Sequence, residues 1–207
     1  MTKVKLCGLS RVEDIAAANL IQPDYIGFIN RFPKSHRNIS FEQALMLKSM
    51  LDPGIPAVGV FVDQPSKELM PYILANVIDA VQLHGHEDEA YIRSLRQITP
   101  AHIPIFKAFQ IRSKEDLDQA AASPADFVLL DNGYGTGETF DWTLLRDFDR
   151  PYFLAGGLGP DNVVEAVQRF HPYAVDISSG VETDKVKDPD KMKQCVELVR
   201  GLPESGQ

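Results

Sequence analysis

The chain predicts an α/β fold, a (β/α)₈ barrel of eight parallel strands inside an outer ring of helices, and three observations carry that expectation. Eight short apolar runs, at 3–8, 25–29, 57–62, 79–84, 104–109, 126–131, 152–156 and 174–178, recur about every two dozen residues, the length of one strand-plus-helix unit. A helical pattern follows each run. Parallel strands need such crossovers, and eight in succession close most naturally into a barrel. The turn after the first run, Cys7-Gly8-Leu9-Ser10, lacks the glycine-rich pattern of an open dinucleotide-binding sheet, the competing architecture.

Several helix starts are marked in the sequence. Ser10 with Glu13 and Ser40 with Gln43 match the capping box, and Asp188-Pro189 places a cap before a first-turn proline. Gly159-Pro160-Asp161-Asn162 reads as a further start. No linker or low-complexity tract interrupts the pattern, so residues 1–207 are expected to form a single barrel domain, with 201–207 a frayed tail.

Composition narrows the partners. With 207 residues and 44% hydrophobic content, one compact domain would bury roughly 70% of the surface its unfolded form exposes. No apolar run is long enough to span a membrane, and MTKVKLCGLS enters a strand without a signal peptide's apolar centre, so the protein is expected to be soluble and cytoplasmic. Cys7 and Cys195 are too few and too far apart for a disulfide framework or a zinc site, and Cys195 on the last helix is expected to be a packing residue. A net charge of −8 with scattered Lys and Arg argues against nucleic acid. An anionic ligand would need local features, such as helix N-termini and single arginines.

Strand alternation sorts the polar residues. Lys5 and Cys7 share the face opposite Val4 and Leu6, Gln82 and His84 the face opposite Val81 and Leu83, and Asp176 and Ser178 the face opposite Val175 and Ile177. These polar sets point into the barrel and lie toward strand C-terminal ends, where barrels of this type carry their active sites. Taken singly, a strand-end cysteine packs, a histidine lines a wall and Asp131 caps a loop. Their joint occurrence at the ends of different strands points to chemistry. Gly156-Gly157 and Ser179-Gly180, in the loops after the seventh and eighth runs, bring bare backbone to the place where barrels frequently bind phosphate. The expected partner is therefore a phosphorylated small molecule.

Longer stretches resemble phosphoribosylanthranilate isomerases, the barrel enzymes of tryptophan biosynthesis. The carriers are KLCGLSRVED, YIGFI followed by KSHRNIS, VGVFVDQ, VQLHGHE, LLDNGYGTGETFDW, LAGGLGPDNV and VDISSGVE with Lys-Asp shortly after, nearly end to end. Two departures stand out. Ser35-His36-Arg37 replaces the common Ser-Pro-Arg after a loop that reads about one residue long, and no glycine separates SSGVE from Lys187-Asp188.

The resemblance implies an Amadori rearrangement of N-(5-phosphoribosyl)anthranilate to 1-(2-carboxyphenylamino)-1-deoxyribulose 5-phosphate, with no metal or organic cofactor, by a monomer or homodimer. It makes Cys7 the general base, Asp131 the general acid and Arg37 the partner of the anthranilate carboxylate. A thiol near its ordinary pKa is only about 3% thiolate at pH 7, so the site is expected to lower it, with Lys5 a candidate cation or else half of an internal salt bridge. Asp176 would hold a sugar hydroxyl or join a core ion pair. Gln82 and His84 would line the pocket without moving protons, and the Gly133-Tyr134-Gly135-Thr136-Gly137 loop would close over substrate while Trp142 packs the next helix. Rival sugar-phosphate barrels use two aspartates or lysines, and Lys107 in the fifth strand keeps the lysine type open. A catalytically silent binding barrel is the reading of a different class.

Overall fold

The computed structural model describes residues 1–131, 145 and 148–203. The 133–137 loop, Trp142 and the end of the tail lie outside the described residues. Eight strands run in parallel: β1 (Lys3–Cys7), β2 (Tyr25–Asn30), β3 (Ala57–Phe61), β4 (Ala80–Leu83), β5 (Ile105–Gln110), β6 (Phe127–Asp131), β7 (Tyr152–Ala155) and β8 (Ala174–Ile177). Each pairs with the next, and β8 with β1 through Lys5 opposite Asp176, so the sheet closes on itself. The expected barrel is present.

The connections described are α1 (Val12–Ile21), α2 (Phe41–Met50), α3 (Met70–Leu74), α4 (Glu89–Ile98), α5 (Lys114–Ala122), α6 (Val163–Phe170) and α7 (Pro189–Arg200). None of these is long and apolar enough to cross a membrane. Two short pairings were not legible in the sequence: Asn38–Ile39 adds beside β2, and Glu182–Thr183 pairs antiparallel with Val186–Lys187.

Helix starts follow local chemistry with two corrections. Ser40 accepts from the Gln43 backbone at 3.1 Å, but the Gln43 amide donates to Ser10 O at 2.7 Å, so only half of that capping box forms; Asp188 caps α7 with Pro189 in its first turn, as expected. The Ser10–Glu13 capping box does not form. Gly8 leaves β1 at φ 78 and the cap falls one residue later, on Arg11, so Asp14 takes the backbone N–H groups of Ser10 and Arg11 at 2.9 and 3.0 Å.

Alternation sets two cores. Val4, Leu6, Val81, Leu83, Val175 and Ile177 pack outward under the helices, while Val58, Ala80, Phe106, Leu129, Phe153 and Ala174 fill the interior. The N-terminal end of the interior is plugged by aromatic rings, with Phe106 and Phe153 centroids 4.9 Å apart and Phe127 and Tyr173 5.1 Å apart. The buried polar side chains Lys5, Gln82 and Asp176 lie beyond this plug. Cys195 is fully buried in α7 against the outer core.

At the plugged end a device repeats. Asp24, Asp79 and Asp126 each stand one residue before an even strand and accept a backbone N–H from the start of the preceding odd strand, at Val4, Ala57 and Ile105, at 2.9, 2.8 and 2.7 Å. A basic side chain from a helix meets each carboxylate: Arg200, Lys48 and Arg96. These contacts satisfy edge N–H groups that the plug would otherwise leave bare. Asp79→Ala is expected to lower unfolding free energy by about 1–3 kcal/mol in urea titration while leaving turnover unchanged, because it acts far from the polar end.

Candidate active site

Lys5 organises the polar end. Its ammonium is fully buried and donates to Cys7 Sγ at 3.3 Å, Gln82 Oε1 at 2.8 Å and Asp176 Oδ2 at 2.9 Å. An ammonium has three donors, so each is used. Lys5 is thus both alternatives at once, an internal salt bridge and the cation beside the thiol. The second oxygen of Asp176, Oδ1, is buried without a hydrogen-bond partner among the described residues.

The thiol's ionisation runs against the expectation. Burial, then the negative charge of Asp176, push the Cys7 thiol up; Lys5 and Lys187 pull it down without prevailing. At rest Cys7 is therefore a protected thiol. Burial also opposes the charge on Lys5, but Asp176 and Cys7 outweigh it and raise its pKa, so the ammonium stays charged. Gly27 makes room for the sulfur, since a Cβ there would lie 2.6 Å from Cys7 Sγ.

Gln82 is buried with both ends of its amide engaged, Oε1 on Lys5 and Nε2 at 2.9 Å from His84 Nδ1, so it stands behind His84. His84 Nε2 lies 3.7 Å from Asp131 Oδ2. A cavity of about 840 Å³ reaches His84 and Asp131 past Val62 and Phe109. Lys107, on the outward face of β5, lines the same cavity, and its ammonium binds Gly85 O at 2.6 Å and Glu87 at 3.1 Å, fixing the loop after β4. That placement removes it as an inward lysine.

Arg37 crosses the mouth from the loop after β2, over Gly8, where a Cβ would meet its Cδ at 2.5 Å. Its Nε and Nη2 form a fork on Glu182 at 2.5 and 2.7 Å, and Lys187 joins the same carboxylate at 2.8 Å. Burial disfavours the charge on Glu182, yet the hydrogen bonds from Arg37 and Lys187 hold its carboxyl down at about 2. Two cations meet one carboxylate here, leaving a positive excess suited to an anionic ligand. Neither Glu182 nor Lys187 was singled out from sequence. SSGVE and the Lys-Asp pair were visible as motifs, but their contact with Arg37 joins segments 145 residues apart.

The missing glycine before Lys187 is absorbed by a two-residue hairpin turn in which Asp184 and Lys185 both take positive φ, 52 and 64. The long loop after β2 is likewise absorbed at Arg31, φ 56, whose guanidinium reaches Glu68 at 2.9 Å. Gly156 and Gly157 have φ 102 and 64, and a Cβ on Gly157 would meet nothing within 4 Å. Gly180 packs on the chain at Leu158, so the two glycine loops touch; Ser179 begins the single turn 179–181.

A closed parallel barrel whose C-terminal mouth gathers a thiol, a carboxyl, buried cations and paired glycine loops defines an acid–base enzyme for a small anionic substrate. Residues 4–198 match the family model described as N-(5'phosphoribosyl)anthranilate (PRA) isomerase. The chain is 44% identical over 207 residues to the N-(5'-phosphoribosyl)anthranilate isomerase of Endomicrobium trichonymphae, covering 98% of this chain and 100% of that one. It is similar to the dimeric phosphoribosylanthranilate isomerase of Thermotoga maritima, solved as monomers, with a TM-score of 0.85, 35% identity and coverage of 98% and 100%. A phosphoribosyl anthranilate isomerase in complex with reduced 1-(o-carboxyphenylamino)-1-deoxyribulose 5-phosphate matches with a TM-score of 0.84, 35% identity and the same coverage. The chain belongs to the phosphoribosylanthranilate isomerase family.

The charges around Cys7 act in opposite senses. Asp176→Asn is expected to move the midpoint of iodoacetamide alkylation against pH downward, and Lys5→Met to move it upward; equal shifts of one sign would contradict the assignment. For Glu182, a folded pKa below the unfolded one stabilises the protein above about pH 4.3, and the contribution fades as pH falls through about 2. Glu182→Gln should therefore cost up to roughly 3 kcal/mol near neutrality, and its deficit in denaturant titrations should shrink below about pH 4.

Proposed function

We propose that Cys7 and Asp131 are the base and acid with which this enzyme of tryptophan biosynthesis isomerises N-(5'-phosphoribosyl)anthranilate to 1-(2-carboxyphenylamino)-1-deoxyribulose 5-phosphate. One observation supports the assignment above others: Lys5 donates to Cys7 Sγ and, through Gln82, connects to the His84 that faces Asp131, so both groups belong to one mouth.

The chemistry follows from the two groups. Asp131 gives a proton to the furanose ring oxygen, the ring C–O bond breaks, and the anthranilate nitrogen's lone pair completes an iminium. The Cys7 thiol first gives its proton to solvent; the thiolate then takes the proton from the adjacent sugar carbon, that electron pair forms a carbon–carbon double bond, and the iminium electrons return to nitrogen. The enolamine so formed gains a proton at its nitrogen-bearing carbon and loses that of its hydroxyl, which gives the ketone. Lys5 remains charged and donates to the sulfur, which offsets the cost of a buried thiolate.

Binding divides by charge. The anthranilate carboxylate meets the positive excess of Arg37 and Lys187 around Glu182, and the bare oxygen of Asp176 accepts a sugar hydroxyl. Phosphate lies against Gly156, Gly157, Ser179 and Gly180, where two loops touch and Gly157 faces open space. A phosphorylated small molecule in the cytoplasm, acted on by a monomer or homodimer of one domain, completes the reading; the net charge of −8 supports it over nucleic acid.

Fluorescence decay of the ribosylated anthranilate on mixing with enzyme, and rescue of a tryptophan auxotroph lacking the isomerase, test the activity. Cys7→Ala and Asp131→Asn are each expected to reduce kcat by about 100-fold or more with the fold intact by circular dichroism. Near-normal turnover in either removes that residue's role. Arg37→Ala should chiefly raise KM.

A further inference from the structure

Proton transfer by Cys7 and Asp131 leaves Gln82 and His84 without a part, although they fill the space between the two. Their hydrogen-bond polarity is determined from one end. The Lys5 ammonium carries only donors, so Gln82 must turn its carbonyl oxygen toward it, at 2.8 Å. The other end of that amide, Nε2, also carries only donors and stands 2.9 Å from His84 Nδ1. That ring nitrogen must accept. The ring hydrogen then sits on Nε2, the nitrogen 3.7 Å from Asp131 Oδ2.

We propose that Gln82 is a positioning residue that fixes His84 as the Nε2–H tautomer, so that a neutral N–H faces Asp131 and receives the carboxylate formed when the acid gives its proton to the ring oxygen. The opposite tautomer, or a doubly protonated ring, would set an Nδ1–H against the amide N–H₂ with two donors and no acceptor between them. Gln82 is 1% exposed and reaches no substrate; it acts through His84. The 3.7 Å separation exceeds a hydrogen bond, and on this proposal it shortens as charge develops on Asp131. The chain of determination runs from the same ammonium that touches Cys7, so one cation orders both ends of the acid–base couple.

The proposal rests on the isomerase reading, and its test separates the two. In ¹⁵N-labelled enzyme, long-range proton–nitrogen spectra near neutral pH are expected to show the His84 ring, assigned by its loss in His84→Gln, as a neutral Nε2–H tautomer. Gln82→Glu places an acceptor against Nδ1 and should move the hydrogen there. In that variant kcat should fall by at least about 10-fold with KM changed little, because an N–H has been withdrawn from the developing carboxylate. Combining Gln82→Glu with His84→Gln should cost no more than His84→Gln alone, since one residue acts through the other.

An Nδ1–H tautomer or an imidazolium in the unaltered enzyme overturns the proposal even if no variant folds. So does a Gln82→Glu enzyme that shifts the hydrogen yet keeps its kcat, that loses kcat without shifting it, or whose effect adds in full to that of His84→Gln. A protein with the expected tautomer but no action on the ribosylated anthranilate would instead sink the isomerase reading.

Discussion

A lysine ammonium with no access to water lies at the centre of this barrel, and the arrangement of the mouth follows from the need to satisfy it. Burying such an ion costs several kcal/mol even after relaxation, and attraction from a carboxylate recovers that only if the remaining hydrogens also find acceptors. Lys5 finds three acceptors, on β1, β4 and β8. Asp176 supplies the counter-charge, Gln82 a neutral dipole and Cys7 a polarisable sulfur. Two of the acceptors are then constrained by a second contact, Gln82 at His84 and Cys7 against Gly27, while Asp176 keeps one oxygen bare among the described residues. A resting thiol that is hard to ionise is the cost of this burial.

The periodic part of this design is written in the sequence, and the contact part is not. Inward and outward faces of β1, β4 and β8 follow from the two-residue period, so Lys5, Cys7, Gln82, His84 and Asp176 could be gathered into one interior before any coordinates. What escaped depends on neighbours. Gly27 reads as an unremarkable strand glycine until the thiol is placed beside it, and Glu182 has no visible partner until Arg37 arrives from the far end of the chain. The Ser10 cap failed for a local reason: Gly8 spends its positive φ on clearing Arg37, which delays the helix by one residue and hands the capping role to Asp14.

The second cationic group is built differently from the first. Arg37 lies in a loop, Glu182 and Lys187 pair across a short hairpin, and their geometry is held by that hairpin at 182–187, whose two turn residues adopt a backbone that L-amino acids enter at a cost. Strain is tolerated there because the strands on either side are tied down: Lys187 reaches Ser178 O at 2.8 Å, and Ser178 in turn reaches Cys7 O at 3.1 Å. The hairpin that holds this charged group is thus moored to the strand that carries Cys7.

The aspartates at the plugged end divide the barrel in a way the active mouth does not reveal. Asp24, Asp79 and Asp126 each join an odd strand to the even strand that follows, while the position before β8 is Tyr173, which offers no carboxylate. Breaking the polypeptide between β2 and β3, or between β4 and β5, leaves every one of these contacts inside a single fragment; breaking it between β3 and β4 parts Asp79 from Ala57. Split versions of the enzyme should therefore reassemble from halves cut at the even boundaries more readily than at the odd ones, as though the ring were assembled from two-strand modules and sealed last by its fourth pair.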